Sequence, residues 1–240
     1  MTDLWKQILD NLSFVGVSLA IVVGLALLAR LAEHFLPEKR KVSPARRVSI
    51  IGISAAIAAV LHVLDFPLVI LAPEFYKLDF SELPVMLCGF YVGPSAAVAC
   101  EAVKIVLKLL FKSTSTAFVG DLANFVVGCS LVLPATIFYR ANKSKHGAVI
   151  GLVIGTACMT VFGSAFNAVY LLPKFAELYG MPLDTIVAMG TAINGSIHNV
   201  TTFVFWAVAP LNLLKGAVIS VLTMLIYKRV ARPLFAAGEK

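Results

Sequence analysis

A chain of 240 residues that is 60% hydrophobic and only 14% charged, with a net charge of +7, lies far from the balance of a soluble domain. Its mean hydropathy of +0.92 and its runs free of Asp, Glu, Lys and Arg, such as 122–139 and 147–173, indicate helices of about 20 residues crossing a hydrocarbon core roughly 30 Å thick. These features exclude a β-barrel, which needs alternating segments of about 10 residues, and leave no room for a soluble catalytic or nucleotide-binding domain. They also exclude a nucleic-acid partner, because the basic residues fall mostly at the ends of apolar runs and report topology.

The first span is expected over 11–29, ending near Arg30. No small-residue cleavage site follows it, so it reads as a retained anchor and not as a removed signal peptide. Segment 38–47, EKRKVSPARR, has five basic residues and one acid. The positive-inside rule places that loop in the cytoplasm and the N-terminus outside. The second span, 48–64, contains pairs of small residues four apart: Gly52 and Ala56, Ser54 and Ala58, Ala55 and Ala59. Such a strip lets another helix approach closely, either a helix of the same bundle or one of a second subunit. Residues 65–77, with Pro67 and Pro73, read as an extended outer loop.

Spans over 80–92 and 94–111 are expected to be joined by a tight cytoplasmic turn at Gly93-Pro94. Glu101, Lys104 and Lys108 then share one helical face. Ionisable groups inside a span face protein or water, so these three line a polar cavity or form a structural ion-paired stripe. After the short polar loop 112–116, Asp121 and Asn124 open a fifth span that runs to Tyr139. Asp121 reads either as a site residue or as an acid favoured at a helix N-terminus.

The basic segment 140–146 precedes a sixth span from 147 to about 172, in which Gly151, Gly155 and Gly163 permit close packing and Asn167 lies near the outer end. Residues 173–185 are expected as an outer loop, 186–193 as a short amphiphilic or re-entrant piece, and 201–225 as the last span, ending at Lys228 and Arg229. Seven spans put every basic cluster inside, the C-terminus in the cytoplasm, and Asp65, Glu74, Asp79 and Glu82 outside.

Cys88, Cys100, Cys129 and Cys158 lie in apolar runs without metal-ligand spacing, and neither a metal nor a cofactor is expected. Lys215 in the last span demands attention, because an unpaired buried ammonium is expensive. Asn212 stands three residues earlier on the same face. An amide and an ammonium together suit a neutral, flat, heteroatom-rich ligand better than an inorganic cation. The structural alternative is a snorkelling lysine beside an interhelical asparagine bond.

KLDFSELPVMLCGFYVGPSAA at 77–97, ExxKxxxK at 101–108, STSTAFVGDLANFVVG at 113–128 and APLNLLKG at 209–216 together resemble the riboflavin-specific S component of energy-coupling factor transporters, over roughly 48–232. The resemblance implies an all-α polytopic transmembrane bundle in the cell membrane. Its six-helix core would occupy 46–232, after one additional N-terminal span and basic loop at 1–45 and before a cytoplasmic tail at 233–240. It further implies an outward-opening pocket covered by the loop after the first core helix. The activity implied is high-affinity riboflavin binding and uptake, with flavin mononucleotide as a second ligand. The implied partners are a transmembrane coupling subunit and two cytosolic ABC ATPases, and ATP acts only there.

Carried over by residue, Asn212 and Lys215 match last-helix positions expected at the polar edge of the isoalloxazine ring, and Asn167 matches a pocket asparagine of the fifth family helix. Asp79, Phe80, Glu82 and Leu83 match the signature after the covering loop, with Asp79 at the pocket mouth and Glu82 in an ion pair, and Leu78, Asp79 and Phe80 are expected to bind the substrate. Ala55 and Ala59, with Ser54 and Ala58 beside them, resemble the coupling-subunit contact. Other readings are an S component for thiamine, folate or biotin, and an ion-coupled secondary transporter using Glu101 and Asp121. An intramembrane hydrolase or transferase using Asp79, Glu82 or Asp121 would lack a coherent nucleophile, base and orienting group.

Overall fold

The computed structural model describes residues 12–36, 42–112 and 118–236. Most of the basic loop before residue 42, nearly all of the 112–116 loop and the last four residues of the expected tail lie outside the described residues. Helix α1, Leu12–His34, is apolar along almost its whole length. Helix α2, Pro44–Val63, starts inside the basic segment, because Ser43 caps it by accepting from the Arg46 N–H and Pro44 occupies the first turn. Two short strands, β1 at Phe66–Pro67 and β2 at Lys77–Leu78, pair antiparallel with Phe66 opposite Leu78. They tie the two ends of the expected outer loop together.

Helices α3, Glu82–Tyr91, and α4, Pro94–Phe111, meet at Gly93, whose φ of 138° is open to glycine and strained for other residues. Helix α5, Val119–Ala141, carries Pro134 internally. Helix α6, Lys145–Phe166, starts at Ser144, whose side chain accepts from the Gly147 N–H. It runs on through a π-helical turn, Asn167–Leu171, into α7, Leu172–Tyr179. Helices α8, Leu183–Thr191, and α9, Val200–Phe203, follow. A second π turn, Val204–Val208, then leads into α10, Ala209–Ala236.

The outer loop expected at 173–185 is therefore largely helical. Pro173 lies in the first turn of α7, where a proline without an N–H does no harm, and the helix stops only at Gly180, with φ 60°. The short piece expected at 186–193 is α8. The last span is longer than expected, since Lys228 and Arg229 continue α10 beyond the apolar run.

Among the described residues five helical stretches are long and apolar enough to cross a membrane: Gly16–His34, Pro44–Val63, Val119–Ala141, Lys145–Glu177 and Val200–Tyr227. Helix α3, with 10 residues, is only about 15 Å long. Helix α4 has 18 residues but carries Glu101, Lys104 and Lys108. Both are held inside the bundle by their neighbours.

The closest helix pair is α5 with α6. A Cβ at Gly151 would stand 2.7 Å from the Ala135 carbonyl oxygen, and one at Gly155 would collide with that of Leu131. Backbone-to-backbone approach through small residues is a main source of helix association in lipid. One buried cluster joins Val119, Leu122, Phe125, Leu171, Phe175, Ile186 and Phe203. The other joins Val85, Met86, Phe90, Leu131, Leu152 and Ile219. Helix α1 contributes Ala29 to the first cluster and exposes Val17, Leu19, Val23, Leu27 and Leu31, as a lipid-facing helix does.

Candidate functional site

The loop between α2 and α3 folds back over one end of the bundle. There it closes a cavity of about 210 Å³ whose lining includes His62, Tyr76, Asp79, Asn124, Asn167, Asn212 and Lys215. The loop ends at β2, and Asp79 follows directly. In extended backbone successive side chains point to opposite sides. Asp79 therefore faces the cavity while Leu78 is buried in the strand pair and the Phe80 ring packs on Phe66, with centroids 6.0 Å apart. Leu78 and Phe80, both expected at the substrate, thus stand beside the cavity and outside its lining.

The Lys215 ammonium donates to Asp79 Oδ2 at 3.1 Å and to Glu82 Oε1 at 2.9 Å. Lys104, fully buried, reaches Ser81 Oγ at 3.0 Å, Asn124 Oδ1 at 2.9 Å and Glu101 Oε2 at 2.5 Å. Glu82 lies 3.5 Å from Lys104 and so joins the two lysines. Asn124 Nδ2 donates to Asp79 Oδ2 at 3.3 Å. Further toward the mouth Lys108 pairs with Asp121 at 2.6 Å.

Four carboxylates (Asp79, Glu82, Glu101, Asp121) thus face three ammoniums (Lys104, Lys108, Lys215), all 8% exposed or less. Charges this deep persist only as a mutually paired network, since each stranded member costs several kcal/mol, on the order of 3–5 when a partner is removed. Burial by itself pushes the Asp79 carboxyl up, but the positive groups around it, Lys215 foremost, together with the hydrogen bond at Ser81 outweigh burial and hold the group below the usual carboxylate range.

The stripe on α4 divides. Glu101 and Lys104 are structural, whereas Lys108 lines the cavity together with Asp121. Glu82 is an ion-pair member, as expected, and Asp79 both lines the cavity and holds Lys215.

Asn167 opens the first π turn, an irregularity frequently found at functional sites because it re-aims a side chain. Its Nδ2 donates to the Gly163 carbonyl at 2.7 Å, and its Oδ1 accepts from the Tyr76 hydroxyl at 2.7 Å. Burial pushes the Tyr76 phenol well above its usual range, so it remains a donor. Tyr76 was not legible as a site residue in the sequence. A lone tyrosine in a proline-bounded loop carries no pattern, and only the fold brings it 91 positions forward to Asn167.

Asn212 lies where Gly163 leaves room, since a Cβ there would stand 2.9 Å from Asn212 Nδ2. Among the described residues that buried Nδ2 has no hydrogen-bond partner, and neither has the buried Nδ1 of His62, which also lines the cavity. Unsatisfied buried polar atoms of this kind mark a place where a ligand completes the bonding. With Phe75 and Phe175 also lining the cavity and their rings 5.8 Å apart, the arrangement offers apolar flat contacts with a few convergent polar groups, the usual character of a small-molecule site. Among the described residues no group of three His, Cys, Asp or Glu side chains is arranged to hold a metal.

The strip expected to meet a partner is largely occupied. Ala55, Ala58 and Ala59 are 1% exposed or less, and Ala55 and Ala58 belong to the inner cluster shared with α3 and α4; Ser54 is half-buried. The helix turns those residues toward its own bundle because the i, i+3, i+4 face holding them is the one that α3 and α4 cover. The small residues left outward on α2 are Gly52 and Ala56, flanked by exposed Ile53, Ile57 and Val60.

Residues 46–227 match the family described as ECF transporter, substrate-specific component. The chain is 32% identical over 183 residues to "Riboflavin transporter FmnP" of Bacillus subtilis (strain 168), covering 76% of this chain and 90% of that protein. It is 35% identical over 186 residues to "Riboflavin transporter RibU" of Staphylococcus aureus (strain TCH60), covering 78% and 90%. A solved structure described as "Structure and mechanism of the S component of a bacterial ECF transporter" superposes with a TM-score of 0.63 at 34% identity, over 80% of this chain and 99% of that one. The matched residues begin at Arg46, within α2, and leave α1 outside them. With its fold, its polar cavity and the family match in agreement, the chain belongs to the substrate-specific components of ECF transporters.

Proposed function

We propose that this chain binds riboflavin in the cavity beneath the α2–α3 loop and delivers it across the cell membrane as the substrate-specific subunit of an ATP-driven transporter. The observation that carries the reading is the buried Nδ2 of Asn212, beside Lys215 and without a hydrogen-bond partner among the described residues. A donor pair of this kind suits the carbonyl and imine edge of a flavin ring, and the aromatic side chains suit its faces. The curated relatives, both riboflavin transporters, support the same substrate.

The cavity of about 210 Å³ is below the roughly 300–1,000 Å³ of sites that hold drug-sized ligands, so the loop carrying Tyr76 moves outward to admit the vitamin. The chain performs no covalent step. A transmembrane coupling subunit and two cytosolic ABC ATPases supply the energy, and ATP binds only there. The N-terminus lies outside and the C-terminus in the cytoplasm, with α3 and α4 completing seven passes.

Flavin mononucleotide is a second ligand favoured by the mouth of the cavity. Lys112 and Lys77 share the single carboxylate of Asp65, at 2.9 and 3.4 Å, leaving one surplus positive charge where a phosphate would emerge. The test is titration of the purified chain, without ATPases, with riboflavin, flavin mononucleotide, thiamine, folate and biotin, read by flavin fluorescence quenching and calorimetry. Riboflavin is expected to bind tightest, and Lys112→Gln to weaken the mononucleotide alone. Preference for another vitamin would overturn the substrate, and binding of none by folded protein would overturn the function.

A further inference from the structure

At the end of the bundle opposite the flavin cavity lies a second cavity, of about 800 Å³, bounded by Arg30, His34, Arg47 and Arg140 together with the start of α2 at Ser43 and Pro44. Glu33 also borders it, but that carboxylate is engaged: it accepts from Ser95 Oγ on α4 and stands 3.8 Å from an Arg47 nitrogen. Among the described residues three guanidiniums therefore face one carboxylate. Arg140 is 5% exposed, and its Nε and Nη1 have no hydrogen-bond partner among the described residues. A guanidinium buried this far without a counter-charge is costly unless an anion completes it.

The ligand chemistry follows from the surroundings. A planar fork of donors selects a phosphate. On the same helix as Arg30, the side chains of Leu27, Leu28 and Leu31 are exposed, as is Phe35 just beyond it, so a route for acyl chains runs directly past the cavity. Basic pockets between membrane helices on the cytoplasmic side are suited to acidic lipid headgroups.

We propose that α1 and the bundle together form a binding site for the phosphodiester of an anionic phospholipid, held by Arg30, Arg47 and Arg140. Helix α1, outside the matched residues, thereby supplies one wall of the site and, through Glu33, locks itself to the α3–α4 turn. A Cβ on Gly93 would press into Glu33 and lie 3.8 Å from Arg140 Cζ, so only a glycine at this turn leaves room for both side chains.

The test uses the full chain, purified and delipidated in a neutral detergent. Dioleoyl phosphatidylglycerol, dioleoyl phosphatidylcholine and inorganic phosphate are titrated separately, read by native mass spectrometry and by thermal unfolding. One retained phosphatidylglycerol is expected, bound about 10-fold more tightly than phosphatidylcholine, with Arg140→Gln and Arg30→Gln each lowering that affinity about 5-fold. Should Arg140→Gln fail to fold, Arg30→Gln on the exposed side of α1 carries the test alone. Equal retention of the two lipids, or an unchanged preference in the Arg30→Gln variant, overturns the proposal. Inorganic phosphate binding as tightly as phosphatidylglycerol would keep the phosphate site but overturn the lipid as its occupant.

Discussion

Lys215 on the last helix donates to Asp79 at 3.1 Å across 136 positions of sequence, and the same ammonium touches Glu82 at 2.9 Å. The residue expected to read the ligand is thus also the keystone of a buried ion network. Its two roles separate experimentally. Lys215→Met leaves Asp79 and Glu82 short of a cation and is expected to cost on the order of 3–5 kcal/mol of stability, seen as a lower unfolding temperature in detergent. Asn212→Leu removes a group whose Nδ2 has no hydrogen-bond partner among the described residues and is expected to leave stability nearly unchanged. Its flavin affinity should fall by about 1–3 kcal/mol, or roughly 5- to 150-fold. Lys174→Met, in an exposed pair with Glu177, is the control; if it lowered affinity as much as Asn212→Leu, the site would be elsewhere.

The Tyr76–Asn167 hydrogen bond at 2.7 Å fastens the loop to the wall of the cavity. Tyr76→Phe keeps the ring and deletes only the donor, a change of about 1 kcal/mol. Opening becomes easier, so flavin association and dissociation, followed by stopped-flow quenching, should both accelerate about 5-fold. Identical rates in wild type and variant would show that this bond does not hold the loop.

Helix α2 allows its two faces to be compared. Ala55→Trp drives a large ring into the cluster with α3 and α4 and should destabilise the fold by about 1–3 kcal/mol or more, as overpacking does. Ala56→Trp adds the ring on the outward face, beside Gly52. Isolated protein carrying it should bind flavin normally, while uptake in cells that contain the coupling subunit falls. Uptake surviving Ala56→Trp would remove that face from the contact.

Orientation is open to direct reading. A reporter inserted after Lys143 or fused after Lys240 is expected to be active in the cytoplasm, and one near Tyr179 outside, because the basic segment 140–146 lies between α5 and α6 whereas α7 lies at the flavin end. A Tyr179 reporter on the same side as Lys143 would rule out the passage of α6 through the membrane.

By itself the sequence determined the solvent in which the chain folds, the approximate limits of its long helices and the positions that could not remain unsatisfied. Hydropathy and charge asymmetry are local and additive, so they survive without knowledge of neighbours: Gly93-Pro94 as a turn, Gly151 and Gly155 as a close contact, and Lys215 as a cation in need of a partner all stand in the structure. The string resemblance also carried the family.

What only the tertiary structure decided is who meets whom. Lys215 had Asp79, Glu82 or a ligand available to it, and the choice depends on how α10 rotates against α3, which no periodicity states. The same holds for Tyr76 on Asn167, and for the small residues of α2, where turning the helix toward α3 and α4 buries Ala55 and leaves Ala56 outward. The π turns at Asn167 and Val204 leave no mark in composition. They set the rotation of every side chain that follows, including Asn212 and Lys215.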